Sequence, residues 1–208
     1  MESNWAAENL QVIRTLMERS ALYRRALAPI MIFAGVLGIV AAGMGWMLKI
    51  ESPQAFIGYW AGVGLVALTG SFLLVRRQAL RESEPFWSSP TRRVGQAMLP
   101  GFFAGAVAGL VALACPQWDF LPTLALPTFW ILLYGCALSA AGFFMQRGIK
   151  LLGWMFVVCG CGLMAARCDG GGWPSYQVGH WVMGGVFGGL HLAYGIYLYF
   201  TEQRGNET

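Results

Sequence analysis

The chain has 208 residues, of which 57% are hydrophobic and only 12% are charged, whereas an ordinary soluble domain carries about 25% charged residues. A water-soluble protein of this length could not cover so much apolar surface with polar groups, so the composition indicates a protein of the lipid bilayer. The net charge of +4 does not indicate nucleic-acid binding, because the basic residues are dispersed and form no recognisable module.

The first 26 residues are predicted to form a cytoplasmic segment that contains an amphipathic helix over residues 8–25. Leu10, Ile13 and Met17 recur on one face of that helix, and charged side chains occupy the rest of its circumference. The segment is too polar to span a bilayer, so we expect it to lie on the membrane surface or beneath the bundle. Because the first apolar run starts only near residue 27, we expect no removable signal peptide.

Six apolar runs follow, and each approaches the roughly 20 residues that a membrane-spanning helix needs. The runs are Leu27 to Leu48, Ala55 to Val75, Met98 to Ala114, Leu124 to Met145, Gly148 to Ala166 and Val178 to Phe200. Inside lipid a chain segment must satisfy its own backbone hydrogen bonds, which favours helices over isolated strands. The sequence therefore predicts an all-α integral membrane protein with a six-helix domain over residues 27–200 and a cytoplasmic tail over residues 201–208.

The basic residues predict the orientation of the six helices. If the N-terminus is inside, all of the 14 basic residues except Lys49 and Arg167 fall in inner segments. This asymmetry predicts that both termini are cytoplasmic and that the chain forms three hairpins. The compact size and short loops favour a bacterial inner membrane.

A shift of the chain against itself by 70 residues indicates an internal repeat, 33–77 against 103–147. The overlay places Phe33-Ala34-Gly35 on Phe103-Ala104-Gly105, and it also places Trp60 on Trp130. Our hypothesis is an origin from repeated hairpins that all have the same orientation in the membrane, unlike the inverted repeats of many transporters.

Glycines at four-residue intervals are candidate helix-packing positions, because small residues let helix backbones approach closely in lipid. The two sets are Gly101, Gly105 and Gly109, then Gly184 and Gly188. Packing inside the six-helix bundle is the favoured interpretation. Contact of one glycine face with another subunit or a flat ligand is the alternative.

His191 is the one ionisable side chain of the Asp, Glu, Lys, Arg and His set that falls deep inside an apolar run. An ionisable group within a membrane is a candidate functional site. We group it with Tyr194, Thr69 and Ser139 as a candidate polar intramembrane site. The favoured interpretation is a neutral imidazole hydrogen-bonded to a neighbouring helix, through Thr69, Ser139 or a backbone carbonyl, and the alternative is a proton relay or ligand contact.

The sequence predicts no cofactor, and haem is the alternative. His180 and His191 lie on nearly the same helix face about 16 Å apart at roughly 1.5 Å per residue, so one iron cannot take both. Ligation by one histidine, with or without a methionine, remains the haem alternative. Cys115 and Cys168 both fall at the predicted outer surface, where a disulfide between them is one hypothesis and two free thiols are the other.

The sequence carries no phosphate-binding loop, zinc-protease helix or nucleophile elbow, and no paired carboxylates for acid–base chemistry. The leading prediction is a non-enzymatic accessory subunit that packs against lipids, other membrane proteins, pigments or further copies of itself. A small transporter or channel with His191 in a polar path is the first alternative. A haem or redox protein is the second.

Overall fold

The computed structural model describes residues 27–81, 89–114, 125–145, 147–166 and 175–206, and for residues 89, 90, 147 and 202–206 it describes the backbone alone. The regular elements in these residues are helices. In chain order they are α1 (Leu27–Met47), α2 (Pro53–Arg81), α3 (Ser89–Ala114), α4 (Ala125–Ala141), α5 (Arg147–Ala165), α6 (Tyr176–Met183), a π-helical turn (Gly184–Gly189) and α7 (Leu190–Asn206). The last three follow one another without a break, and together they are called the terminal helix below.

Five of these helices are long and apolar enough to cross a membrane, and α4 is a shorter apolar helix of 17 residues. The all-helical fold class is therefore confirmed for the described residues, and it is compatible with a helical membrane protein. The predicted amphipathic helix in residues 1–26 lies outside the described residues.

Several helix bounds differ from the apolar runs. α2 continues to Arg81 and α3 already begins at Ser89, because arginine-bearing turns extend a helix beyond the apolar region by placing their charges in a polar layer. Pro100 lies within α3. In contrast α4 ends at Ala141, four residues before the predicted end, and the chain turns at Gly142 and Phe143.

α1 and the terminal helix form a close antiparallel pair. A methyl group placed on Gly35 would lie 2.5 Å from the backbone nitrogen of Leu192, and one on Gly38 would lie 2.9 Å from Cα of Gly188. Further along α1, Gly45 meets His180 in the same way. The residue numbers of the contacts decrease along the terminal helix as they increase along α1, so the two helices run in opposite directions.

α4 packs against both α3 and α5. Gly142 lies against Lys150 at one end of the α4–α5 contact, and Gly160 lies against Leu132 at the other. On the opposite side of α4, Gly101 of α3 contacts Ala137. α4 is thus antiparallel to both neighbours and is covered on two sides.

α2 follows α1 in the reverse direction. The hydroxyl of Tyr59 donates to the Ala41 carbonyl at 2.5 Å, and Gly70 lies against the Phe33 ring. The starts of α1, α3 and α5 therefore share one end of the bundle with the ends of α2, α4 and α7. The described cations there are Arg76, Arg77, Arg81, Arg92, Arg93 and Lys150, and this end is called the basic end.

Two apolar clusters form the core. The first joins α1, α4, α5 and α7 through residues such as Met31, Ile131 and Phe156. The second joins α1, α2 and α6 near the opposite end, around Phe56 and Trp60. α2 and α3 are peripheral, since only 11% of the apolar window of each is buried, against 39% for α1.

Candidate functional site: two buried histidines

His180 is fully buried, and both of its ring nitrogens are hydrogen-bonded. The indole nitrogen of Trp60 on α2 donates to Nδ1 at 3.0 Å, and Nε2 lies 3.1 Å from the Ile50 carbonyl oxygen. An indole nitrogen only donates and a carbonyl oxygen only accepts. The proton of the neutral ring must therefore be on Nε2.

The end of α1 places the acceptor for His180. The Lys49 amide donates to the Trp46 carbonyl and the Ile50 amide to the Gly45 carbonyl, which is a Schellman motif. Lys49 occupies its left-handed position with φ of 51°, where glycine is the usual residue. The motif turns the chain so that the Ile50 carbonyl faces the His180 ring, while the ring itself lies on Gly45, which has no side chain to block it.

Aromatic rings surround the remaining faces of His180. The centroid of the Phe56 ring is 4.8 Å from the imidazole centroid, and those of Tyr59 and Trp60 are 5.7 Å and 6.0 Å away. Nearby, Gln177 donates to Glu51 at 2.7 Å across the same corner. His180 thus ties the α1–α2 corner, α2 and α6 together.

His191 lies in the middle of the terminal helix and is 4% exposed. Its Nδ1 is 2.6 Å from the Phe187 carbonyl oxygen, and its Nε2 is 2.6 Å from the hydroxyl of Tyr134 on α4. Because the carbonyl can only accept, the proton is on Nδ1 and the tyrosine hydroxyl donates to Nε2. The two histidines are therefore opposite tautomers of the neutral imidazole.

A π-helical turn over Gly184–Gly189 lies between the two histidines. Four of its six residues are glycines, which lower the steric cost of a widened turn. A π turn shifts the backbone hydrogen-bond partners by one residue. His191 is the second residue after this turn, and its Nδ1 proton is donated to the carbonyl oxygen of Phe187 within the turn.

Aromatic rings also surround His191. The centroids of Tyr134 and Phe156 are each 5.3 Å from that of the imidazole, and Phe156 is fully buried. Phe187 packs against both Tyr134 and Phe156. The side chain of Phe187 contacts both core clusters, so it connects the two histidine sites.

This arrangement leaves no free lone pair on either imidazole. Ligation of haem iron or another metal would require Trp60 or Tyr134 to give up its hydrogen bond and move away. Across the described ranges, no group of three His, Cys, Asp or Glu side chains is placed to hold a metal ion. The geometry instead gives each histidine the role of a hydrogen-bonded tie between helices.

Comparison with protein-family models, with curated proteins and with solved structures finds no match to this chain.

The four residues of the predicted polar site do not surround one point. Thr69 is exposed on α2. Ser139 lies at the α4–α5 contact, where its buried hydroxyl faces Gly153 and has no hydrogen-bond partner among the described residues. Tyr194 lies against Gly148 and stacks on Tyr197 with their centroids 6.3 Å apart. The hydrogen-bond partners of His191 are instead Tyr134 and the carbonyl of Phe187 on its own helix.

The five candidate packing glycines all lie at helix contacts. Gly184 meets Ala42, and Gly188 lies against Ile39. Gly101 lies against Ala137, whereas Gly105 and Gly109 make room for the Trp130 ring, whose indole nitrogen donates to the Gly105 carbonyl at 2.9 Å.

Cys115 and Cys168, for which a disulfide and two free thiols were the two hypotheses, both lie outside the described residues. The described cysteines, Cys136, Cys159 and Cys161, are free thiols, and Cys136 and Cys161 are exposed.

Sequence reasoning did not identify Trp60 and Tyr134 as histidine partners. Each is an amphipathic aromatic residue that could equally anchor a helix at the membrane interface. The sequence contained one usable signal, since a buried neutral histidine needs a donor and an acceptor from its surroundings. Both partners lie well within apolar runs, where such a donor is needed most.

Proposed function

We propose that this protein is a non-enzymatic membrane component that works by binding other membrane-embedded chains along the outward face of α2. The observation that carries the proposal is the contrast in burial, since α1 has 39% of its apolar window buried and α2 only 11%. The described interior is occupied by packed rings and hydrogen-bonded histidines. The lateral surface is therefore the part of the molecule that remains available for an activity.

The outward face of α2 has the character of a helix-packing surface. A methyl group on Gly58 or Gly62 would meet no described atom within 4 Å, so this glycine pair is unused inside the bundle. Leu65 and Phe72 are 66% and 50% exposed on the same helix. Small residues beside large apolar ones permit close helix contact in lipid, where apolar surface alone gives no driving force for association.

The proposal includes six spans with both termini in the cytoplasm of a bacterial cell. The contacts of α4 support counting it as a span, because it extends beside α5 from Lys150 to Gly160. The shared location of the arginines at the basic end supports the orientation, since cytoplasmic loops are enriched in arginine and lysine. A reporter enzyme that is active only in the periplasm can be fused to the C-terminus. Activity of that fusion would contradict the proposed orientation.

Site-specific photocrosslinking in native membranes tests the binding surface. A photoreactive residue at Leu65 is expected to capture a protein partner. One at Leu151 on α5, which is 65% exposed against 66% for Leu65, is the matched control. A crosslinked species of twice the chain mass would identify the partner as a second copy. The proposal is wrong if Leu65 captures only lipid and the protein migrates as a lone monomer in gentle detergent.

A small transporter or channel is the second candidate, and the π-helical turn beside His191 favours it. Short π segments occur frequently at functional sites, and here the segment is glycine-rich and adjoins a buried imidazole. Proton leak into liposomes, followed with an enclosed pH-sensitive dye, tests it. Equal leak rates for the wild-type protein, His191→Ala and empty liposomes would reject proton conduction through this site.

A further inference from the structure

The last turns of α2 carry an open groove of about 410 Å³ at the basic end of the bundle. The groove is lined by Leu73, Arg76, Arg77, Leu80 and Arg81. Each of these positions has another member of the set three or four residues away, so they lie on one face of the helix. The face alternates long cationic side chains with apolar ones.

The three arginines form a positive patch at the end of α2. All three are exposed, and none has an ion pair with Glu51, which is the one carboxylate side chain among the described residues. The two acidic residues that follow in the sequence, Glu82 and Glu84, lie outside the described residues. Three guanidinium groups on two helical turns repel one another, so a bound anion between them would stabilise the arrangement.

The groove also has an apolar component. Leu73 is 53% exposed and Leu80 is 72% exposed, and they flank the arginines on the same face. A guanidinium group can hold two phosphate oxygens at once, which an ammonium group does less well. A ligand that satisfies both parts of the groove has a phosphate next to a hydrocarbon chain.

We propose that this groove is a binding site for the phosphate headgroup of an anionic phospholipid in the leaflet at the basic end. The arginines hold the phosphodiester, and the leucines contact the glycerol and the first methylene groups of the acyl chains. The site is separate from the binding face around Leu65, because it lies at the end of α2 and uses charge.

Native mass spectrometry of the full-length protein in detergent measures this binding directly. Titration with phosphatidylglycerol is compared with phosphatidylcholine of the same acyl chains, and inorganic phosphate serves as a competitor. Tight binding is expected for phosphatidylglycerol alone, with little displacement by millimolar phosphate. The affinity should fall as salt rises, because the arginines are exposed.

The variant R76Q/R77Q removes two of the three groove charges, and R92Q/R93Q on α3 is the matched control. Arg92 and Arg93 are also exposed at the basic end but do not line the groove. A basic residue near an anionic membrane surface contributes about fivefold in affinity, so R76Q/R77Q should weaken phosphatidylglycerol binding by about 30-fold. The control should stay within about twofold of the wild-type protein on the same scale.

Three results would overturn the proposal. Equal losses in the two double variants would show diffuse attraction to the whole basic end. Full displacement by inorganic phosphate would show a site for a free anion. Unchanged binding in R76Q/R77Q would show that the groove is not the binding site.

R76K/R77K keeps the positive charges, and we expect its affinity to lie between those of the wild-type protein and R76Q/R77Q. The native mass and crosslinking at Leu65 are measured separately, so a failure here leaves the proposed function untouched.

Discussion

The hydroxyl of Tyr134 and Nε2 of His191 are 2.6 Å apart, and this hydrogen bond joins α4 to the terminal helix in the apolar middle of the bundle. The tyrosine donates because Nδ1 of the same ring already donates to the Phe187 carbonyl. Each group is thereby paired in a place where an unpaired polar atom is costly.

Tyr134→Phe should therefore lower the free energy of unfolding by about 1 to 2 kcal/mol, because the buried Nε2 loses its donor. Unfolding in mixed micelles with increasing sodium dodecyl sulfate measures the change. Tyr197→Phe removes a hydroxyl from a side chain that is 61% exposed, and it should change the value by less than about 0.5 kcal/mol. Equal effects of the two substitutions would contradict the role of this bond.

The two histidines should give different nitrogen spectra. The acceptors around them require the proton on Nε2 of His180 and on Nδ1 of His191. Solid-state NMR of protein labelled with 15N-histidine in lipid distinguishes the two neutral tautomers, and His191→Gln assigns the signals. Two identical tautomers would show that at least one of these hydrogen-bond sets is different in the membrane.

Two glycines of the terminal helix, Gly185 and Gly188, should respond differently to substitution by alanine, because only Gly188 lies against α1. A methyl group on Gly188 would lie 2.7 Å from the Ile39 backbone nitrogen, whereas one on Gly185 would meet no described atom within 4 Å. Gly188→Ala should lower the free energy of unfolding by about 1 to 3 kcal/mol, because backbone atoms cannot move aside. Gly185→Ala should be neutral or stabilise the protein by up to about 1 kcal/mol. Detergent unfolding of the pair tests this, and a stabilising Gly188→Ala would refute the packing.

Lys49 carries a conformational strain that a substitution can relieve. Its φ of 51° is costly for a residue with a side chain, so Lys49→Gly should raise the free energy of unfolding by about 1 kcal/mol. Lys49→Ala removes the charge but keeps the Cβ atom, and it is the control for the loss of the cation. Thermal unfolding in detergent would contradict the prediction if both variants shifted the midpoint equally.

The hairpin repeat stays a prediction, and one pair of its residues shows why sequence overlap is a weak guide to contacts. Trp60 and Trp130 coincide in the 70-residue overlay, yet their indole nitrogens donate to different kinds of acceptor, the His180 ring and the Gly105 carbonyl. Local sequence places an indole at a given depth along a helix. The neighbouring helix supplies the acceptor.

Glycine spacing also shows that local sequence suggests a contact surface, whereas the neighbouring helices decide whether it is used. Four-residue pairs can be read from the sequence, but Gly58 with Gly62 and Gly185 with Gly189 face open space in the described structure. Many close helix contacts instead involve glycines seven residues apart, namely Gly38 and Gly45, Gly135 and Gly142, Gly153 and Gly160, and Gly188 and Gly195. A seven-residue spacing keeps one stripe facing a partner helix at a small crossing angle.

Sequence alone determined that the chain is helical and apolar enough for a bilayer, and roughly where each helix lies, because these properties depend on composition and on backbone hydrogen bonds within one segment. It also singled out His191 as the ionisable side chain of the apolar interior. Only the tertiary structure decided that Tyr134 and Trp60 are the partners of the two histidines and that the imidazoles are opposite tautomers. Those choices depend on which helices meet and at what rotation, and a hydrogen bond between helices leaves no trace in the periodicity of either one.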